Sequence, residues 1–507
     1  MSLPKGLDWS LAAVAACIAL GGCGGGGGGK GPGAAFGEFR IGGSTGAFEG
    51  TLGLLNNGSD ALSLSAPGSF VFAQRVPRGG AYDVQVSMQP PAQFCSVVKG
   101  SGKASADVKD VQVQCGKGRL RTVHTFAQGG ERPRQLFLGG FAEDAKGYLY
   151  AAAAGVGNGN PGAIYRISPQ GAVSVLHVFE ADGPQPLHRL TFGPDGKLYG
   201  VADAEGHDGI VYSLGLDGTF TVLHTFKASE DSVDGVVPSG GLVLAGGSLY
   251  GLTLAGGVDD AGTIYRIDAD GKYRTLHSFL KGEKLDHLLS RIHRPAGSLT
   301  VGSDGMLYGT AMSGGYKRHG GIFRVDPTKS KVETLTEFDA HIENAQTGVV
   351  ETAPGVFHGV ASVNFPKGLA LFRLQLPVGE DRMAITNVVR RLEEKDGTMA
   401  GTMAYSPFAG APVLGSDGKL YGAYDWDTRT GQNEEEDSSA DAATRTGAIF
   451  RYDPKTNDLD HAADFGQDGT TLRSPTNGLL LARNGHLYGV ATQATESGMA
   501  KALYALD

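Results

Sequence analysis

Gly302-Ser303-Asp304-Gly305-Met306-Leu307-Tyr308-Gly309 decides the fold of this chain, because the chain writes it again and again. Outward from it come a loose Gly-rich run, then Gly321-Ile322-Phe323-Arg324-Val325-Asp326-Pro327, a short turn, and Glu333-Thr334-Leu335-Thr336-Glu337-Phe338. The Tyr308 position recurs at Tyr150, Tyr199, Tyr250, His358, Tyr421 and Tyr488, so successive copies lie 49, 51, 58, 50, 63 and 67 residues apart. Self-similarity at such a period marks an array or a propeller.

Each copy carries four strand signals. Strand A is apolar and small, as in Gly241-Leu242-Val243-Leu244-Ala245, Ala411-Pro412-Val413-Leu414-Gly415 and Gly478-Leu479-Leu480-Leu481-Ala482. A tight turn follows at Asp195-Gly196, Asp304-Gly305, Asp417-Gly418 and Asn484-Gly485, and then strand B, the Leu-Tyr-Gly element. Strand C reads Ile264-Tyr265-Arg266-Ile267 or Ile322-Phe323-Arg324-Val325, and strand D reads Leu223-His224-Thr225-Phe226 or Leu276-His277-Ser278-Phe279. Four antiparallel strands per repeat of roughly 50 residues are the signature of a propeller blade. The region opens on a D strand, Leu120 to Phe126, and ends on a C strand, Leu503 to Leu506. One blade is therefore expected to be completed from both ends, which removes an open sheet edge. The expected fold is all-β, with a seven-bladed β-propeller over 118–507.

These repeats resemble the GloVer-type tandem repeat of secreted bacterial surface proteins, with its G-T-x-F/Y-[KR], L-H-x-F and D-G-x-L-Y-G strands. Gly262-Thr263-Ile264-Tyr265-Arg266, Leu276-His277-Ser278-Phe279 and Asp304-Gly305-Met306-Leu307-Tyr308-Gly309 carry the likeness. The fifth copy departs from it: Ala353-Pro354-Gly355 replaces the Asp-Gly turn, Phe357-His358 replaces Leu-Tyr, and Leu335-Thr336 lacks the His. The resemblance implies a fold and brings no reaction with it.

Upstream, the 507-residue chain starts with a targeting pattern: Lys5, then an apolar run from Leu11 to Leu20 that is too short to span a bilayer. Leu20-Gly21-Gly22-Cys23 resembles the lipobox of bacterial lipoproteins, which implies removal of 1–22 and acylation of Cys23. Several acyl chains give stable membrane anchoring. Gly24 after the Cys implies the outer membrane for such lipoproteins. Residues 23–35 are Gly-rich and read as a flexible tether. Residues 36–117 show short alternating strands, such as Tyr82-Asp83-Val84-Gln85-Val86 and Val108 to Val113, and read as a small β-sandwich module. With Cys17 in the leader and Cys23 acylated, Cys95 and Cys115 remain, and an exported chain is expected to join them as a disulfide.

The net charge is −9 and no Lys/Arg cluster stands out, which argues against a nucleic-acid partner. Antiparallel order puts the short A–B and C–D turns on one side of the ring and the long B–C and D–A loops on the other. The long ones are Ala151–Ala163, Lys227–Ser239, Leu280–Gly297, Glu393–Gly410 and Ala423–Thr446. Ligand sites in rigid scaffolds are built from such loops. In the last of them, Tyr424-Asp425-Trp426-Asp427 holds the only Trp downstream of the leader, and the four residues are the expected ligand-binding set. The competing reading folds Trp426 back over its own blade. Glu434-Glu435-Glu436-Asp437 lacks the Gly-punctuated spacing of a Ca²⁺ loop and reads as a solvated run.

His124, His177, His224 and His277 lie on the outer strands of different copies, so they read as repeat packing rather than metal ligands. Arg166, Arg266, Arg324, Arg373 and Arg451 recur for the same reason. No Gly-x-Ser-x-Gly elbow between strand and helix, His-Glu-x-x-His or phosphate loop occurs. His293, His319, Asp259, Asp260, Asp425, His188 and Arg189 are scattered candidates that nothing in the sequence ties together. The reading has no catalytic residue, metal or cofactor. It expects non-catalytic binding of a polysaccharide or surface protein by an anchored envelope protein, with a carbohydrate-active hydrolase or lyase at the channel mouth as the alternative.

Overall fold

The computed structural model describes residues 37–506 apart from 91–92, 117, 127–134, 137–139, 156–160, 182, 205–206, 228–232, 282–291, 340–341, 343–344, 346, 365–366, 378–383, 393–410, 416, 428–444, 467–470, 476–477 and 496–497. The expected leader, Cys23 and tether lie outside the described residues. Among the described residues every regular element is a β-strand.

The first eight strands form two four-stranded sheets. One orders Ser69–Pro77, Glu38–Thr45, Val108–Gly116 and Phe94–Val98; the other orders Asp60–Leu64, Leu52–Asn56, Ala81–Met88 and Ser101–Lys103. Inward residues of both meet in one core that includes Ile41, Leu54, Phe70, Phe72, Val84 and Val111. Cys95 and Cys115 face each other across adjacent strands and are joined by a disulfide.

Among the described residues the repeat region shows seven antiparallel sheets in A-B-C-D order, numbered here 1 to 7 along the chain: 135–178, 191–225, 235–278, 293–337, 349–392, 413–465, and 472–506. Leu120–Phe126 supplies strand D of sheet 7 by pairing antiparallel with Gly498–Leu506, Leu120 opposite Leu506 and His124 opposite Leu503. Several strands run further than their polarity announces. Strand B of sheet 1 reaches Gly155, strand A of sheet 3 begins at Gly235, that of sheet 4 at His293, and strand B of sheet 6 reaches Asp427. Backbone pairing, which ignores side-chain polarity, continues the ladders into stretches that the sequence reading assigned to loops.

Consecutive sheets pack face to face through a joint that the repeat encodes. The Gly of Leu-Tyr-Gly lies opposite the strand C aromatic, as Gly309 lies opposite Phe323. A Cβ on Gly309 would stand 2.4 Å from Phe323 Cζ, so the ring requires glycine beneath it. Over that ring sits the strand D Phe of the preceding sheet. Phe279 meets Phe323 edge-on with centroids 5.3 Å apart, and Phe179–Tyr212, Phe226–Tyr265, Phe338–Phe372 and Phe465–Tyr504 repeat the contact between other neighbours. Phe126, on the strand D of sheet 7, makes it with Tyr165 of sheet 1. Shared cores join sheets 1 and 2, 2 and 3, 3 and 4, 4 and 5, 5 and 6, and 6 and 7. A further core joins Phe141 and Tyr165 of sheet 1 to Tyr488 and Leu503 of sheet 7.

A second latch lies at the entry to strand A. Pro186, Pro238, Pro295 and Pro475 each stand where a Cβ on Gly162, Gly209, Gly262 or Gly447, at or just before strand C of the preceding sheet, would come within 2.6–2.7 Å of the proline ring. Val237, Arg294 and Ser474, which precede three of these prolines, have φ of 56°, 57° and 43°. That backbone is costly for L residues and persists because the latch holds it.

Candidate binding face

The repeated polar residues are spent inside the scaffold. In the turn before strand B, Asp304 accepts the Met306 N–H at 3.0 Å and the Tyr308 O–H at 2.7 Å. Asp144–Tyr150, Asp195–Tyr199 and Asp417–Tyr421 repeat the hydroxyl bond at 3.1, 2.9 and 2.8 Å. Burial, and then the adjoining carboxylate, push Tyr150 and Tyr199 up to about 12, so these phenols serve packing and not proton transfer. In sheet 5 His358 takes the Tyr place, with Nδ1 3.0 Å from Thr352 Oγ1. Burial, aided by Arg373, lowers it to about 4 and keeps it neutral.

Two of the strand D histidines pack on aromatics of the next sheet: His177 stacks on Phe220 at 4.4 Å, and His224 on Tyr273 at 3.5 Å. His224 Nε2 also lies 2.9 Å from Asp234 Oδ2, and Tyr273 donates to Asp234 Oδ1 at 2.5 Å. This His–carboxylate pair joins strand D of sheet 2 to the entry of strand A of sheet 3, where Asp234 also accepts the Gly235 N–H at 2.9 Å.

The four residues expected in a loop lie on strand B of sheet 6, which corrects their placement in a loop. The ladder pairs Tyr424 with Ala448, Asp425 with Gly447, Trp426 with Thr446 and Asp427 with Arg445. Tyr424 is only 4% exposed and packs among residues of sheets 5 and 6. Its hydroxyl lies 2.8 Å from His461 Nε2, and His461 Nδ1 lies 2.6 Å from Asp464 Oδ1. Asp425 accepts the Ser474 hydroxyl at 3.1 Å, which ties sheet 6 to sheet 7. The side chains of Trp426 and Asp427, and the run Glu434-Glu435-Glu436-Asp437, lie outside the described residues. His461, Asp464 and Ser474 were not anticipated. Their signal is a departure, because His461-Ala462-Ala463-Asp464-Phe465 breaks the Leu-His-x-Phe pattern of strand D.

The scattered candidates stay scattered. His188 is buried with Nε2 3.1 Å from the Pro238 carbonyl, and burial lowers it to about 4. Arg189 stands near Gly140 of the sheet 1 segment and Gly241 of sheet 3. Its side chain is exposed. Asp259 and Asp260 hold Lys281, through its N–H at 2.5 Å and its Nζ at 3.3 Å. Among the described residues no group of three or more His, Cys, Asp or Glu side chains is placed to hold a metal ion.

The A–B turn side is partly covered. Phe94 of the small module is 4% exposed and shares a core with Tyr421 and Leu487, while the Val97 N–H donates to the Asn484 carbonyl at 3.3 Å. A cavity of about 330 Å³ remains at this seam, lined by Val86, Gln89, Phe94, Leu414, Tyr421 and Arg483 among others. Beside it Glu143 accepts the Arg483 N–H at 3.0 and 3.2 Å. Burial raises Glu143 to about 7; the Arg483 bond and charge oppose the rise, and Asp144 and the module's Asp83 add to it. The opposite side carries the B–C hairpin tips, where Val258 and Tyr316 are 68% and 76% exposed.

Residues 137–372 match the family described as the Gloeobacter/Verrucomicrobia repeat. Among solved structures, the chain is similar to TolB from Acinetobacter baumannii at 13% identity, over 63% of this chain and 77% of that one, with a TM-score of 0.33. It is similar to puromycin hydrolase at 14% identity, over 74% and 52% of the two chains, with a TM-score of 0.43. An oligogalacturonate lyase in complex with manganese is similar at 11% identity, over 85% and 94%, with a TM-score of 0.39. Likeness at this level carries no activity to the present chain. No curated protein matches it.

Proposed function

We propose that this chain, whose residues 137–372 match the Gloeobacter/Verrucomicrobia repeat, is an anchored envelope protein that binds a polysaccharide or a protein partner without catalysis. Its binding surface is the B–C and D–A loop face of a closed, seven-bladed ring. Closure is supported by the pairing of Leu120–Phe126 with Gly498–Leu506 and by the core shared between sheets 1 and 7. Acylated Cys23 and the Gly-rich tether lead into the small module, which lies on the A–B turn side. That arrangement directs the loop face away from the membrane.

The observation that carries the binding reading is the division of labour among side chains. The repeated Asp, Tyr, His and Phe residues are engaged between strands and sheets, whereas the hairpin tips expose Tyr316 and Val258 to solvent. Binding residues concentrate on loops and hairpin tips that a rigid scaffold positions. The test is affinity electrophoresis of the Cys23→Ser chain in gels cast with neutral or acidic polysaccharides. Retardation with the polymer left intact is expected. Release of new reducing or unsaturated ends would overturn the non-catalytic reading, and no retardation in any gel would remove polysaccharide as the ligand.

A further inference from the structure

Two neighbouring hairpins share one backbone and carry opposite charge. The B–C tip of sheet 3 reads Gly256-Gly257-Val258-Asp259-Asp260-Ala261-Gly262, and that of sheet 4 reads Gly314-Gly315-Tyr316-Lys317-Arg318-His319-Gly320. Left-handed φ values fall at the same four positions: 79°, 78°, 45° and 94° in the first, 81°, 84°, 63° and 85° in the second. Their hydrogen bonds correspond as well. Asp260 N–H donates to Gly257 O and Gly262 N–H to Gly256 O; Arg318 N–H donates to Gly315 O and Gly320 N–H to Gly314 O.

The glycines supply the left-handed positions; at the acidic tip Asp260 Oδ1 also accepts the Gly256 N–H at 2.8 Å, and the basic tip reaches the same backbone with Arg318 in that place. The same fold accepts Val-Asp-Asp at one tip and Tyr-Lys-Arg at the other, so neither triplet is demanded by the backbone. The acidic tip is engaged within the protein, since Lys281 binds both Asp259 and Asp260. The basic tip is held through its backbone: Glu337 accepts the Tyr316 N–H at 2.6 Å. Tyr316, Lys317 and Arg318 are exposed, with Lys317 Nζ 5.8 Å from the Tyr316 ring centroid.

We infer that Tyr316-Lys317-Arg318 is where the loop face grips an anionic polysaccharide, with uronate carboxylates on the two cations and a sugar ring on the tyrosine. This inference rests on the binding reading above and names its ligand class. An arginine fork matches a carboxylate in two-point geometry, and a lysine adds a point charge beside it. An exposed aromatic ring offers a flat apolar face with little conformational entropy to lose. A protein partner would need about 800 Å² per side, more than a three-residue tip supplies. A broad acidic surface would be repelled by a chain of net charge −9, whereas a thin polymer senses charges within a Debye length of about 8 Å.

The probe is polygalacturonate, titrated into the full Cys23→Ser chain at low and high salt, with dextran as the neutral control and phosphatidylglycerol vesicles as the lipid control. The decisive variant is Tyr316→Val/Lys317→Asp/Arg318→Asp, which copies the neighbouring tip that this fold already holds. The native chain is expected to bind polygalacturonate more weakly at high salt. The triple variant should bind about tenfold less tightly or worse, with unchanged melting. Equal binding by the triple variant, or native binding confined to dextran, overturns this inference and leaves the binding reading standing. Binding to the vesicles but not to polygalacturonate assigns the charge to lipid and also overturns it. Binding to neither polysaccharide overturns this inference and leaves the binding reading to its protein-partner form.

Discussion

Removing Phe279 tests whether the inter-sheet joint is built as described. Phe279 is 3% exposed and meets Phe323, itself fully buried, across the boundary between sheets 3 and 4. Phe279→Ala deletes the ring and leaves a cavity between two sheets that cannot close it independently, so the loss should be about 3–5 kcal/mol. Gly309→Ala attacks the same joint from the other side. The new methyl would lie 2.4 Å from Phe323 Cζ and 2.9 Å from Leu299 Cδ2, an overpacking cost of about 1–3 kcal/mol. Sheet 1 is a natural version of this change, because Ala151 holds the Gly place opposite Tyr165. That ring is 6% exposed, against 0–1% for Tyr212, Tyr265, Phe323 and Tyr504. Urea unfolding gives the magnitudes, and amide exchange places the loosening at sheets 3 and 4. Gly309→Ala/Phe323→Leu should recover part of the Gly309→Ala loss, because the smaller side chain clears the methyl. A change below about 1 kcal/mol in Phe279→Ala, or a neutral Gly309→Ala, would refute the joint as the carrier of stability.

Two further outcomes follow from the same contacts. Glu143 is raised from 4.5 to about 7, so its stabilising contribution is full below about 4.5 and is lost as the pH climbs through about 7. Melting temperature against pH should show that decline, and Glu143→Gln should flatten it; an identical slope in the variant would exclude Glu143 as its source. Tyr424→Phe removes the hydroxyl that meets His461 and should cost about 1–3 kcal/mol in urea unfolding without altering polysaccharide affinity. Lost affinity at unchanged stability would return Tyr424 to the binding surface.

Much of the repeat was legible because its determinants are local. Asp304, Gly305 and Tyr308 complete their turn within five residues, and Gly305 adopts φ 78° to do so. What was not legible depends on pairs far apart in the chain. The seating of Pro238 on Gly209, or of Pro475 on Gly447, is visible only once consecutive sheets are stacked. Tyr424-Asp425-Trp426-Asp427 reads as a loop because its polarity gives no strand signal. Its partners Arg445 to Ala448 lie beyond a long intervening segment. The Tyr424–His461–Asp464 chain spans strands B and D of one sheet, so no spacing rule brings its members together. In the small module, alternation marked the strands but not the parallel pairing of Glu38–Thr45 with Val108–Gly116.

The most direct measurement is a cross-link between the two ends of the repeat region. Arg121 and Ala505 face each other where the first strand of that region pairs with the last. In an Arg121→Cys/Ala505→Cys chain that also carries Cys23→Ser, oxidation followed by a cut in a central loop should leave the two fragments joined until reductant is added. Fragments that separate without reductant would contradict the proposed closed ring, and with it the proposed division of the molecule into a covered turn side and an open binding face.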